Sequence, residues 1–252
     1  MPEYADIFNL RGHSYNEAGT EYPSARENER ATLLDWLNPV SGETICDAPA
    51  GGGYVAQGLR KRLGDGVTVV CVEPARKFAA GIPAGFQVLN EPLAAVSLPD
   101  AHFDCVASLA GLHHFEDKSP VFREWFRLLK PGGRLAVADV QAGTGTADFL
   151  NLFVNEFTPG GHDGRFFEAG DFTRDLAAAG FERIEEQQCD IPWLFPEEAA
   201  MAAFCRRLFS IENASEEQVL EALKKYLGIE AAVTGGIQMN WQLRYALGWK
   251  RA

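Results

Sequence analysis

A few positions carry residue types that could do chemistry. Ile45-Cys46-Asp47-Ala48-Pro49-Ala50 runs directly into Gly51-Gly52-Gly53, and a helical pattern follows. Glu73 ends the next apolar run, and Ser108-Leu109-Ala110 ends another, just ahead of Leu112-His113-His114. Asp139 ends a fourth. Gly51-Gly52-Gly53-Tyr54-Val55-Ala56 fits G-x-G-x-x-[G/A], in which glycines let bare backbone approach a nucleotide, and Glu73 fits an acceptor for ribose hydroxyls. Spacing alone does not separate a dinucleotide from other adenosine ligands, so an NAD-dependent oxidoreductase stands as one reading. Asp47 discriminates. A pyrophosphate on this turn would meet a fixed carboxylate and be repelled. A nucleoside carrying a sulfonium and an ammonium would be attracted. The plainer alternative is that Asp47 only caps the turn.

These residues need a scaffold that brings strand ends together. Apolar, β-branched runs at 43–48, 68–73, 86–89, 103–109 and 134–140 read as strands, and helical patterns at 53–63, 119–130, 146–157 and 170–179 lie between them. Ser24-Ala25-Arg26-Glu27 reads as a capping box opening a helix with Leu33, Leu34 and Leu37, closed before Pro39. Ser119-Pro120 reads as a helix N-cap followed by proline. Further on, a strand at 182–189, helices at 197–210 and 215–227, and a strand at 237–249 depart from simple alternation. In that last strand Ile237, Met239, Trp241, Leu243, Tyr245, Leu247 and Trp249 alternate with mostly polar neighbours. The expected fold is α/β: a doubly wound, mainly parallel seven-stranded sheet with an antiparallel C-terminal edge strand and a helical cap. We expect a single domain over 1–252, with 1–25 as an N-terminal cap arm, residues 1–23 reading as a loose arm or short helices, and 196–230 as an inserted helical lid. Met201, Phe204, Cys205 and Leu208 fit either core or lid.

The segments together resemble a class I S-adenosylmethionine-dependent methyltransferase, of the small-molecule type related to quinone-biosynthesis methyltransferases. ICDAPAGGG resembles the first motif of that family, with Pro49-Ala50 replacing the commoner Gly-Cys. VVCVEP (69–74), LPDAHFDCVASLAGLHHF (98–115) and FREWFRLLKPGGRLAVADV (122–140) resemble later motifs in the same order. The resemblance covers about residues 25–190. It implies a Rossmann-like methyltransferase fold and S-adenosylmethionine as cofactor. By that resemblance Asp47 and the Gly51–Gly53 backbone, with Ala48 and Pro49 beside them, hold the amino-acid end of the cofactor. Glu73, followed by Pro74, takes the ribose hydroxyls, and Asn90 and Glu91 fall at the adenine rim. Ser108, Leu109 and Ala110 line the methionine part. Lys130-Pro131-Gly132-Gly133 is a structural turn.

Methyl transfer needs an acceptor atom aimed at the methyl carbon and relieved of its proton. His113 is the candidate base, with Asp139 placed to orient its ring; the alternative is that Leu112-His113-His114 only shapes the approach to a helix. His114 is expected to be structural and His13 and His102 to lie on the surface, while His162, Tyr15, Tyr22 and Arg26 are pocket candidates. Trp193, Phe195, Phe204 and Phe209 suggest an apolar or aromatic substrate face. Nothing distinguishes oxygen, nitrogen, sulfur or carbon as acceptor, and a non-catalytic S-adenosylmethionine-binding module is a further alternative.

Bulk properties narrow the partners to a small-molecule substrate. A net charge of −12 disfavours a nucleic-acid backbone or an anionic membrane as partner. The 5 cysteines show no CxxC pair or zinc spacing, so no metal is expected and a reduced, cytoplasmic setting follows. The N-terminus lacks a basic-then-apolar signal pattern.

Overall fold

Strands buried on both faces set the architecture. A computed structural model describes residues 4–252; of the expected arm at 1–25, residues 1–3 lie outside that range. β1 (Thr44–Asp47), β2 (Thr68–Val72), β3 (Gln87–Leu89), β4 (Phe103–Leu109) and β5 (Leu129–Asp139) pair in parallel. Successive residues feed opposite layers. Ile45, Cys71, Cys105 and Ala136 pack on one side with Leu33, Leu37, Val55 and Leu59. Cys46, Val70, Val106 and Val137 pack on the other with Phe122, Trp125 and Leu176.

The helices α1 (Tyr4–Glu21), α2 (Glu27–Leu37), α3 (Tyr54–Leu63), α4 (Arg76–Ala79) and α5 (Ser119–Leu128) precede or link these strands. Next come α6 (Gly145–Asp148), a π-helical stretch at Phe149–Val154, α7 (Asn155–Phe157) and α8 (Asp171–Ala179). β6 (Glu182–Asp190), β7 (Trp193–Phe195), α9 (Glu198–Leu208), α10 (Glu216–Tyr226), β8 (Ile229–Ala231), β9 (Ile237–Met239) and β10 (Gln242–Trp249) complete the chain. The main sheet has 7 strands in the order β3-β2-β1-β4-β5-β10-β6, and a small antiparallel sheet runs β7-β9-β8.

The structure refines several expectations. The antiparallel C-terminal strand is present; it inserts between β5 and β6, so β6 takes the outermost place. The expected strand at 237–249 is two strands, because the chain leaves the small sheet at Asn240-Trp241 and enters the large one. Its alternation survives the break because Met239, Trp241, Leu243 and Tyr245 are all buried. The Ser24 capping box does not form: α2 starts after Arg26, whose side chain pairs with Glu29. Lys118, not Ser119, is the N-cap of α5, while Asp117 accepts from the Ser119 amide at 2.9 Å.

The arm is not loose. Tyr4, Phe8, Tyr15 and Ala18 share one face of α1. Phe8 and Tyr15 meet Phe78 of α4 at ring distances of 4.8 and 4.9 Å. Gly12 permits this approach, since a Cβ there would stand 2.7 Å from the Phe78 Cα. Tertiary contact therefore holds a helix whose own sequence is an indifferent helix former.

Candidate active site

Parallel strands deliver their last residues to one rim, where the connecting turns leave room for a ligand. Here that rim carries Asp47, Leu109 and Asp139 at the ends of β1, β4 and β5, with Glu73 just past β2. Asp47 is fully buried. Its Oδ2 accepts from the Ala56 amide of α3 at 2.9 Å, and its Oδ1 has no partner among the described residues. Burial pushes its pKa well above the usual carboxylate range; the Ala56 amide opposes this and the charge of Glu73 adds to it. Ser108 Oγ, also buried, is likewise unpartnered. Two unsatisfied buried polar atoms on one rim fit a ligand that brings donors. A cationic ammonium suits Asp47 Oδ1, whereas a diphosphate would add a second anion to an already unstable one.

Glycine geometry serves the same rim. Gly51 has φ +53°, and a Cβ there would stand 2.8 Å from Phe78 Cζ. Gly53, φ 80°, is the N-cap of α3. Ala110 holds the left-handed region at φ 51° without being glycine, which places it between the two cavities described next.

The first cavity, about 40 Å³, is lined by Pro49, Gly51, Leu109 and Ala110, and α1 roofs it with Tyr4, Phe8 and Tyr15. Glu73 lies beneath. Its oxygens accept from Gly51 N and Ala75 N, both at 2.8 Å, and from Tyr4 Oη at 3.0 Å. Burial raises its pKa to about 7 against these bonds.

The second cavity, about 60 Å³, opens beyond Ala110. His113 Nδ1 lies 2.6 Å from Asp139 Oδ1. Asp139 also accepts from the amides of Leu112, His113 and Val140, so it acts as an ionised acceptor and the His113 Nδ1 carries the proton. His114 and His162 join His113 there, at ring distances of 4.2 and 5.4 Å from it. Burial, then the neighbouring His113, holds both well below the usual histidine pKa, so both are neutral at pH 7. Trp193, Phe209 and Trp241 form an aromatic wall, with Trp193 stacked on Trp241 at 4.2 Å. Behind it the buried Arg26–Glu29 pair is fixed by Tyr15 Oη and by Trp193 Nε1, the latter at 3.2 Å.

Several expected residues sit elsewhere. Glu91 turns to the amide and hydroxyl of Ser97, and Asn90 Nδ2 donates to the Glu73 carbonyl oxygen at 2.9 Å; neither lines the cavity. Ala48 is buried and donates to the Ala107 carbonyl, while Pro74 only links Glu73 to Ala75. Tyr22 packs on Phe195 and Phe204 outside the second cavity; Tyr22 and Phe204, with Tyr15 and Arg26, line a separate cavity of about 720 Å³. His102 is half-buried against Phe103 rather than on the surface. Sequence reasoning missed Phe8, Arg11, Trp241 and the role of His114, which reach the cavity from α1, from a strand break and from the turn after β4.

Known proteins resemble this chain in sequence and in fold. Residues 46–137 match the family described as a methyltransferase domain. The chain is 26% identical over 198 residues to the ubiquinone biosynthesis O-methyltransferase of Pseudomonas paraeruginosa, covering 71% of this chain and 84% of that protein. It is 36% identical over 112 residues to the 2-methyl-6-phytyl-1,4-hydroquinone methyltransferase of Synechocystis sp., covering 42% of this chain and 34% of that protein. Among solved structures, a phosphoethanolamine N-methyltransferase 2 of Haemonchus contortus, bound to phosphomonomethylethanolamine and S-adenosylhomocysteine, superposes with TM-score 0.71 at 15% identity. That match covers 100% of this chain and 61% of the other. A Thermotoga maritima S-adenosylmethionine-dependent methyltransferase superposes with TM-score 0.66 at 17% identity, covering 99% and 100%. The fold is that of the solved S-adenosylmethionine-dependent methyltransferases. Residues 46–137 of this chain carry a methyltransferase domain.

Proposed function

We propose that this protein methylates a small acceptor with an apolar or aromatic body, bound in the cavity beyond Ala110. The observation that carries the reading is the adjacency of two cavities that share Ala110: one is lined by Pro49, Gly51 and Gly52 of the turn that follows Asp47, the other by His113 of an imidazole–carboxylate pair and by an aromatic wall. When bound, S-adenosylmethionine supplies an electrophilic methyl on its sulfonium. Asp47 Oδ1 would hold its ammonium, the amides around Gly51 its amino-acid end, and Glu73, here bonded to Tyr4, its ribose hydroxyls. The acceptor slides between Trp193 and Trp241 on one side and the histidines on the other. His113 Nε2 receives the acceptor's proton while Asp139 steadies the imidazolium that results. The aromatic wall excludes water. α1 and α9–α10 act as the lid over this chemistry, because Tyr4, Phe8 and Tyr15 must move for a cofactor to reach Glu73. Quinone-type phenols suit the wall; one relative is named as an O-methyltransferase of ubiquinone biosynthesis and another as a methyltransferase of a hydroquinone. The 5 unpaired thiols fit a reducing compartment. Among the described residues no helix is long and apolar enough to cross a membrane.

Titration with S-adenosylhomocysteine and with NADH tests the cofactor half; binding of NADH alone would overturn it. Turnover of labelled S-adenosylmethionine on a panel of phenols tests the rest. His113→Gln is expected to cut turnover while leaving S-adenosylhomocysteine affinity unchanged; equal activity would remove its role.

A further inference from the structure

Three imidazoles lining one cavity need a reason. His113 and His114 come from the turn after β4, and His162 comes from the Pro159–Arg165 loop, far away in sequence. One ligand atom from each lies within 4.8 Å of the others. Two of the three rings have their tautomers locked. Asp139 accepts the His113 Nδ1 proton, as described above. Asn151 Oδ1 lies 3.1 Å from His162 Nδ1. The Asn151 amide is itself oriented by Gly164, whose N–H donates to Oδ1 at 2.8 Å and whose carbonyl accepts from Nδ2 at 2.9 Å. An amide oxygen only accepts, so His162 Nδ1 is the protonated nitrogen. On both rings Nε2 is left with a lone pair and no protein partner among the described residues. That is the outer-shell pattern by which a carboxylate or amide aims a histidine at a metal.

We propose that His113, His114 and His162 form a divalent-cation site, best suited to zinc, whose open position faces the acceptor cavity and takes the acceptor's own oxygen or sulfur as fourth ligand. Three histidines and one exchangeable position are the donor set of a catalytic rather than a structural zinc site. Nitrogens on one tetrahedral ion stand about 3.3 Å apart, so the cluster must tighten by roughly 1.5 Å, within reach of small ring rotations. The loop bearing His162 is anchored for this purpose: Arg11 Nη2 of α1 donates to the carbonyl oxygens of Pro159 and Gly161, both at 2.7 Å. That spends the arginine on the loop, and Asp139 supplies the anionic balance behind His113. The site deepens the reading of this cavity as the acceptor pocket and rests on it. It narrows the substrate to a phenol, enol or thiol. On binding, the acceptor's O–H or S–H bond breaks heterolytically, the electron pair stays on the heteroatom facing the cation, and the proton leaves to solvent. Nothing is oxidised. With the cation bound, His113 Nε2 is a ligand and does not take the proton; its role as base belongs to the metal-free protein.

The test is metal binding by the whole protein, with no cofactor or acceptor present. After dialysis against chelator, zinc and cobalt are titrated by calorimetry and visible absorption, and the loaded protein is read by X-ray absorption at the metal edge. The expected result is one ion per chain with three imidazole neighbours. His114→Gln and His162→Gln should each weaken binding at least about 100-fold, and Asn151→Ala about 10- to 100-fold through its hold on His162. His13→Ala should change nothing, since His13 lies exposed on α1 against Glu17. Absence of stoichiometric binding, fewer than three imidazoles at the edge, or binding that survives both glutamine variants would overturn the proposal. The edge spectrum of the wild-type protein decides even where a variant fails to fold. Titration of the metal-free protein with S-adenosylhomocysteine separates the two failures: intact binding leaves the methyltransferase reading standing without its metal.

Discussion

Replacing Asp47 by asparagine isolates the charge on which cofactor selection rests. The side chain keeps its size, and the asparagine oxygen can still accept from the Ala56 amide now bonded at 2.9 Å. What changes is the atom now at Oδ1, which is buried and has no partner among the described residues. An ammonium placed there would make a charge-assisted hydrogen bond worth about 1.5–3 kcal/mol, so S-adenosylhomocysteine affinity should fall about 10- to 150-fold. Stability should move the other way. The folded carboxyl has its pKa raised, chiefly by burial. Its contribution is therefore fully present below the unfolded carboxylate pKa and lost as pH rises through the folded value. At pH 8 the ligand-free variant should be more stable than the wild type by about 1 kcal/mol or more, which is about 2–4 °C in Tm for a chain of this size. A third consequence is proton release. Ligand binding drives Asp47 to its ionised form, so wild-type binding enthalpy should depend on the ionisation enthalpy of the buffer, and the variant should show less of this dependence. Calorimetry in two buffers and a melting curve measure all three. Unchanged affinity, together with an unchanged or lower Tm, would refute the reasoning and return Asp47 to a turn-capping role.

Three further outcomes follow from neighbouring groups. Tyr4→Phe frees one acceptor site on Glu73, so S-adenosylhomocysteine should bind about 2- to 10-fold more tightly; weaker binding would place Tyr4 in the bound-state site instead. Glu73, with its pKa raised from 4.5 to about 7 by burial, makes the ligand-free protein lose stability as pH rises from about 4.5 to 7, by at most about 3 kcal/mol. Denaturant melts across that window should show the fall, and Glu73→Gln should flatten it; a wild-type curve already flat there would count against the buried carboxyl. Arg26→Met leaves Glu29 buried and unpaired and should destabilise by about 3–5 kcal/mol, with much of the loss recovered in the double variant carrying Glu29→Gln, both read by urea unfolding.

How much of this was legible in the sequence depends on what each feature answers to. β1, β2, β4 and β5 were readable because both their faces are buried, so composition alone marks them. The His113–Asp139 pair was readable for a topological reason. Both residues leave the carboxyl ends of adjacent parallel strands, with Leu109 opposite Ala138 in register. α1 was not readable as one helix, since it is held by Phe78 and α9 rather than by its own propensities. Glu91 was misplaced because a nearby serine offers it a local partner that spacing cannot reveal.

The histidine cluster shows where such reading stops. Metal motifs are recognised in sequence when the ligands sit one or two helical turns or a tight hairpin apart. Here the ligands bracket a strand, three helices and a π-helical stretch, and the outer-shell residue Asn151 lies on that stretch itself. The π turn matters physically. It admits an extra residue per turn and so re-aims one side chain without ending the helix. Asn151 uses that freedom to bind both Gly164 and His162, fixing the loop that brings the third imidazole over the first two. The same segment contributes Leu150 and Val154 to the cavity wall. Acceptor binding and histidine geometry therefore share one short helix. A substitution that regularises the stretch should disturb both together, while the rim at Asp47 and Glu73, built on β1 and β2, stays as it is.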